Sequence, residues 1–163
     1  MIKVLRSGFL TFYKNKFKCS VGKNGFTRNK AEGDLKTPIG NFKIIKCFYR
    51  SDRVKDIQSK LKFIDITKKM GWCDDVSSKF YNKQVDTSLV RRHEKLFRRD
   101  SLYDIVLVLN YNTEPIKKFK GSAIFFHIAT KNFSPTQGCI GLEKNKLLKL
   151  VKYIDDRTQI KII

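Results

Sequence analysis

The chain is poor in acid, poor in histidine and free of long apolar runs. Against 35 Lys and Arg stand 15 Asp and Glu, a formal net charge of +20 over 163 residues, with two histidines and one tryptophan. No stretch approaches the roughly 20 apolar residues of a membrane-crossing helix, so no membrane span is expected. The segment Met1-Ile-Lys-Val-Leu-Arg-Ser-Gly-Phe-Leu10 lacks the apolar core and cleavage site of a signal peptide, and its period-two pattern reads as part of the fold. Cytoplasmic residence is therefore expected, with the cell envelope or periplasm as the alternative if another route exports the protein. Cys19, Cys47, Cys73 and Cys139 lie far apart with no Cys-x-x-Cys pair. That excludes the common zinc and redox motifs and fits free thiols, so neither metal nor cofactor is expected. Helix-turn-helix, zinc-finger and aromatic RNA-binding signatures are missing, and lysine dominates where bidentate phosphate recognition would favour arginine. The charge implies salt-sensitive adhesion to polyanions rather than a specific nucleic-acid partner.

What is present is enough for a core. The apolar fraction is 41%, with 13 Phe, and the length suits a single domain over residues 1–163 without disulfide staples. Alternation predicts strands over 2–6, 9–13 and 16–21, the last two joined by a hairpin at Lys14-Asn15. A Gly-rich loop follows over 22–41, then a strand over Phe42–Tyr49. Residues 50–100 read as irregular and polar, with one strand at Leu61–Ile66, and form a candidate substrate wall. Tyr103–Tyr111 is apolar on both faces and reads as a central strand, followed by another over Ala123–Ala129. Leu147, Leu150, Val151 and Ile154 recur at helical spacing and predict one helix from Glu143 to about Asp155, before a last strand over Thr158–Ile163. Many strands and one helix imply a mostly antiparallel β domain.

The chemistry concentrates in Ala123-Ile-Phe-Phe-His127 and Pro135-Thr-Gln-Gly-Cys139-Ile-Gly-Leu142. A strand-borne His and a loop-borne Cys are the residue types of a nucleophile–base pair, because sulfur attacks as thiolate and needs a base or positive charge beside it. The same pattern also fits a core histidine and a core cysteine.

Gly33-Asp-Leu-Lys-Thr-Pro-Ile-Gly40, a strand bearing His127, Pro-Thr-Gln-Gly-Cys139-Ile, then a helix and a final strand together resemble the L,D-transpeptidase (YkuD-type) catalytic domain. Gly71-Trp-Cys-Asp-Asp75, Arg92-His-Glu94 and Leu102-Tyr-Asp104 resemble a signal-less variant branch of that family. The resemblance covers essentially the whole chain and implies a β-rich mixed sandwich or barrel with one C-terminal helix before the last strand. It implies Cys139 as nucleophile and His127 as general base and acid, acting on peptidoglycan or muropeptide stem peptides between the third residue and D-Ala. An amine acceptor would make the enzyme a transpeptidase, and water would make it an L,D-carboxypeptidase that trims recycled muropeptides. The sequence departs from the family's common form at Gln137, where a second His usually stands, and at Gly141, where a polar residue does. The N–H groups of Gly138 and Cys139 are expected to hold the oxyanion, and His127 to stabilise the thiolate as an ion pair. His93, Arg92, Thr136 and Trp72 are candidate substrate-binding residues, with Arg50, Arg53 and Tyr111 weighed beside them. Asp34 and Thr37-Pro38 read as braces for their loop. The competing reading is a non-catalytic module that binds a polyanion or the cell wall.

Overall fold

A computed structural model describes residues 1–163. In chain order the strands are β1 Ile2–Leu5, β2 Phe9–Phe12, β3 Asn15–Ser20, β4 Phe26–Thr27, β5 Thr37–Pro38, β6 Gly40–Tyr49, β7 Phe63–Asp65, β8 Met70–Trp72, β9 Gln84–Asp86, β10 Glu94–Lys95, β11 Ile105–Leu109, β12 Phe125–Ile128, β13 Ile140–Leu142 and β14 Gln159–Ile162. The single α-helix, α1, spans Lys144–Tyr153 and precedes β14. The fold is thus mostly β with one helix before the last strand, as the sequence implied.

The large sheet runs β11-β12-β13-β3-β2-β1-β14-β6-β7, and β6 also pairs with β11. That extra pairing closes eight strands into a barrel-like ring, with β7 added on the edge of β6. β6 can serve two partners because it is long. Its first half pairs with β14 and its second half with β11, and β11 shifts register between Val108 and Leu109 to accommodate the curl. Most pairings are antiparallel, but β12–β13, β1–β14 and β6–β7 are parallel, as is the separate β4–β5 pair.

Two apolar clusters follow from the strand alternation. Ile105, Leu107 and Leu109 of β11 and Phe126 and Ile128 of β12 point into the barrel, where they meet Ile2, Val4, Leu10 and Ile160. Leu147, Leu150 and Val151 insert the apolar stripe of α1 into the same cluster, and Ile154, expected inside the helix, joins it from the extended C-cap position. Val106, Val108 and Phe125 point the other way, into a second cluster with Phe48, Ile66, Trp72, Leu96 and Tyr103. The central-strand reading of 103–111 holds because both of its faces are covered.

The region 50–100 is more ordered than its composition suggests. It contributes β7 and a separate three-stranded sheet, β10-β8-β9, with a short 3₁₀ turn over Thr87–Leu89 capped by Asp86. This small sheet covers the outward face of β11 and β12. Polar anchors hold it: the carboxylate of Asp104, only 3% exposed, binds Arg53 at 3.2 Å and Lys144 of α1 at 3.0 Å. Arg50 is 4% exposed, donates two bonds to Asp52 and one to the Arg98 carbonyl, and stacks 3.6 Å from the Phe97 ring centre. Both arginines brace the cover, so the role weighed for them as substrate ligands gives way to a structural one.

The hairpin turn also differs from expectation. Phe12 pairs with Asn15, which places the two-residue turn at Tyr13-Lys14 rather than Lys14-Asn15.

Candidate active site

The parallel pairing of β12 with β13 brings the two reactive residues together. His127 is in register with Gly141, so Cys139, two residues earlier, stands across from Phe125. Residues two apart on a strand share a face, and Cys139 accordingly packs on the outer cluster with Phe125. Cys139 and His127 line one cavity of about 250 Å³ beneath the small sheet. Cys19, Cys47 and Cys73 are buried, whereas Cys139 is partly open, so only one thiol of four reaches this space.

The Cys139 sulfur accepts the Phe125 N–H at 3.3 Å and lies 3.6 Å from the Ala123 carbonyl, toward which the thiol proton can point. His127 is 6% exposed, and its Nδ1 lies 2.8 Å from the Ile128 carbonyl. A carbonyl only accepts, so that contact fixes the proton on Nδ1 and leaves Nε2 as the basic nitrogen. The Tyr103 ring meets the imidazole edge-on, 5.3 Å between centres, and the Arg98 guanidinium lies 4.9 Å from the centre of the Tyr103 ring.

Burial governs the protonation states. It pushes the Cys139 thiol up to about 12, against the Phe125 N–H and the Lys30 charge, which favour thiolate. It pushes His127 down to about 4. Burial thus favours neutral thiol and neutral imidazole over the expected ion pair, because desolvation of both charges outweighs the local partners.

The loop before Cys139 is held by residues distant in sequence. Thr37 Oγ1 donates to the Gly138 carbonyl at 3.0 Å and accepts the Gly22 N–H at 2.8 Å. Asp34 accepts the Ala31 and Lys36 N–H groups and pairs with Lys30 at 2.6 Å. Both residues brace as read. Gly138 has φ of +128° and a Cβ there would lie 2.7 Å from the Lys36 carbonyl oxygen, so only glycine fits. Its N–H donates to Thr136 Oγ1 at 3.1 Å, whereas the Cys139 N–H has no partner in the protein. Of the two amides expected to hold an oxyanion, Cys139's is open and Gly138's is engaged. Thr136 lines the cavity, and its Oγ1 donates to the Cys139 carbonyl at 2.6 Å, so this hydroxyl also shapes the loop.

Trp72 lines the cavity, 3% exposed, with its Nε1 donating to Asn82 Oδ1 at 2.9 Å. Arg92 and His93 do not line it. Arg92 is largely exposed and lies 3.3 Å from Asp74, a lining carboxylate. His93 packs against Gly71 with both ring nitrogens buried and unpartnered. Tyr111 also lies outside the cavity, bonded to the Lys120 carbonyl.

Sequence reasoning missed several groups. Lys30 lines the cavity with a side chain 5% exposed. Asn82 Oδ1 accepts both the Trp72 indole and the Ala123 N–H at 2.9 Å, which links the small sheet to the strand beside the thiol. Ser20 of β3, in register with Gly141 and through it with His127, puts a buried hydroxyl without partner on the cavity wall. The absence of a side chain at Gly141 is the one sequence signal that pointed there.

A closed β barrel thus holds a partly open thiol and a tautomer-fixed imidazole in one cavity, the residue types that a nucleophile–base pair needs. The family model for the L,D-transpeptidase catalytic domain (YkuD) matches residues 3–162, and the chain belongs to that family, whose members are acyltransferases acting on peptidoglycan stem peptides. No curated protein matches the chain.

Proposed function

We propose that the chain is a cysteine acyltransferase that opens the bond between the third residue and D-Ala of a peptidoglycan stem tetrapeptide. The observation that carries this reading is that Cys139 alone among the thiols opens into the cavity that His127 lines. Neutral His127 takes the thiol proton through Nε2 as sulfur attacks the carbonyl, so charge separation arises only during the reaction. The free Cys139 N–H stabilises the oxyanion. The imidazolium then protonates the departing D-Ala amine, leaving a thioester on Cys139.

An amine of a second stem resolves the thioester in a transpeptidase, and water does so in an L,D-carboxypeptidase. The small cavity volume favours the second reading as a companion to the first, because it suits one peptide end better than two. A cytoplasmic protein would meet soluble muropeptides, which suits the same reading. The test is mass spectrometry of a disaccharide-tetrapeptide incubated with wild type and with Cys139→Ala. Dimer formation supports transpeptidation, and loss of D-Ala without dimer supports hydrolysis. Product from Cys139→Ala, or none from wild type, defeats the proposal.

A further inference from the structure

The barrel wall centred on β1 carries a second surface. In the ring of eight strands, β1 lies opposite β12. Across β3, β2, β1 and β14 the register sets Lys16 beside Thr11, Thr11 beside Lys3, and Lys3 beside Lys161. Lys18 stands beside Phe9, and Lys43 of β6 beside Gln159. These side chains are exposed or half-buried, while their alternates Ile2, Val4, Leu10, Ile160 and Ile162 fill the barrel. The four strands β1, β2, β3 and β14 contain no acid, and the first acid of the chain is Glu32. None of the five lysines is in an ion pair. Lys16 lies 4.4 Å from the Phe9 ring centre and Lys18 5.1 Å from that of Phe133, but Lys3 and Lys161 stand in adjacent register and repel with no carboxylate to offset them.

A separate observation lies at the lip of this wall. Tyr13, in the β2–β3 turn, is 82% exposed and has φ of +51°. That conformation suits Gly or Asn and is unfavourable for an aromatic residue. The Tyr13 ring meets only Phe12 edge-on, 4.5 Å between centres, and otherwise stands in solvent beside Lys14 and Lys16, so the strained turn is a local cost with little packing in return.

We propose that this wall docks the protein on an anionic phospholipid surface, lysines against the headgroup phosphates and Tyr13 seated at the interface. Tyrosine prefers that boundary because its ring is apolar and its hydroxyl wet. Flexible point charges suit a field of phosphates without fixed spacing, whereas nucleic acid would call for a groove and forked arginines. The wall is a convex barrel side, and its outward residues on β1, β2, β3 and β14 include no arginine. Docked this way, the face of β12 that bears His127 is turned from the bilayer toward solvent.

The test is co-sedimentation with vesicles of phosphatidylcholine alone and of phosphatidylcholine mixed with phosphatidylglycerol. Binding is expected only to the mixed vesicles, weakening as salt rises past roughly 0.15 M. Each lysine is worth about fivefold in partitioning. A triple Lys3→Glu, Lys16→Glu, Lys161→Glu variant should therefore bind at least about a hundredfold less. Lys117→Glu, Lys118→Glu, Lys120→Glu, with the same net charge, should bind as wild type. Tyr13→Asn should bind vesicles more weakly while unfolding at the same or higher temperature. Equal loss in both triple variants, or equal binding to neutral vesicles, overturns the proposal. So does retention on duplex DNA without vesicle binding, which would assign the face to nucleic acid.

Discussion

Acidification should unfold this protein through one buried side chain. The His127 imidazole titrates near 6.5 in the unfolded chain and is pushed down to about 4 by burial in the native state. Between those values the unfolded chain holds the extra proton and the native chain does not. Stability is therefore complete above pH 6.5 and falls as pH drops toward 4. At roughly 1.4 kcal/mol per pH unit the full loss is about 3 kcal/mol, a large part of the stability of an ordinary domain. The carboxylates with lowered values, such as Asp34 and Asp100, give up their contribution mainly below the unfolded value of 3.8, so His127 dominates the interval above it. Urea unfolding followed by fluorescence of Trp72, the single tryptophan, reads the effect at pH 7 and pH 4.5. Wild type should lose about 2–3 kcal/mol, and His127→Gln should lose far less over the same interval. The same burial keeps His127 neutral in acid, as the proposed role of base requires: at pH 5 about nine in ten imidazoles remain neutral, against about one in thirty at an ordinary value. The acid limb of kcat/KM should thus fall near pH 4. Equal stability at the two pH values, or an equal drop in His127→Gln, refutes the assignment of a neutral buried histidine.

Three further outcomes follow from the geometry. An alkylating probe should modify Cys139 before Cys19, Cys47 and Cys73, because only Cys139 is open, with a rate that climbs about tenfold per pH unit from pH 7 toward its value of about 12; peptide mapping over a pH series checks both the order and the slope. Gly138→Ala places a Cβ 2.7 Å from the Lys36 carbonyl at a φ of +128°, so it should displace Cys139 and lower kcat about a hundredfold, measured in the tetrapeptide assay. Asn82→Ala leaves the Trp72 indole and the Ala123 N–H without their acceptor, at about 1–3 kcal/mol each, and should lower both the unfolding midpoint and the activity, read by denaturation and turnover side by side.

Much of the barrel was legible because its strands state their period plainly. Ile2-Lys-Val-Leu alternates, Ile105–Leu109 is apolar without a break, and Leu147, Leu150, Val151 and Ile154 mark a helical stripe. The strands β8, β9 and β10 were illegible since two or three residues carry no period, and they exist only by packing on Phe48, Val106 and Phe125. Cys139 and His127 stood out as rare residue types in a strand–loop context, but their neutral state depends on burial, which a sequence does not display. Lys30 reads as one more surface lysine until Asp34 and the Gly138 loop enclose it. His93 shows the converse, a residue type that attracts attention and then packs against Gly71 outside the cavity. The turn at Tyr13 was misplaced by one residue because Asn15 is the better turn former, yet it pairs in the ladder with Phe12.

The pairing of β1 with β14 has a consequence for how the protein comes into being. Residues 2–4 find their partners at 160–162, and Thr37 reaches the carbonyl of Gly138 across 101 positions. Contacts of such sequence separation close late, because the loop entropy must be overcome before they give any return. On the ribosome, the open edge of β1 waits until residues 160–162 have emerged, and the loop that presents Cys139 stays unset until Gly138 reaches Thr37. Cys139 therefore gains its setting late, and a chain truncated before β14 carries the cysteine without the closed barrel around it.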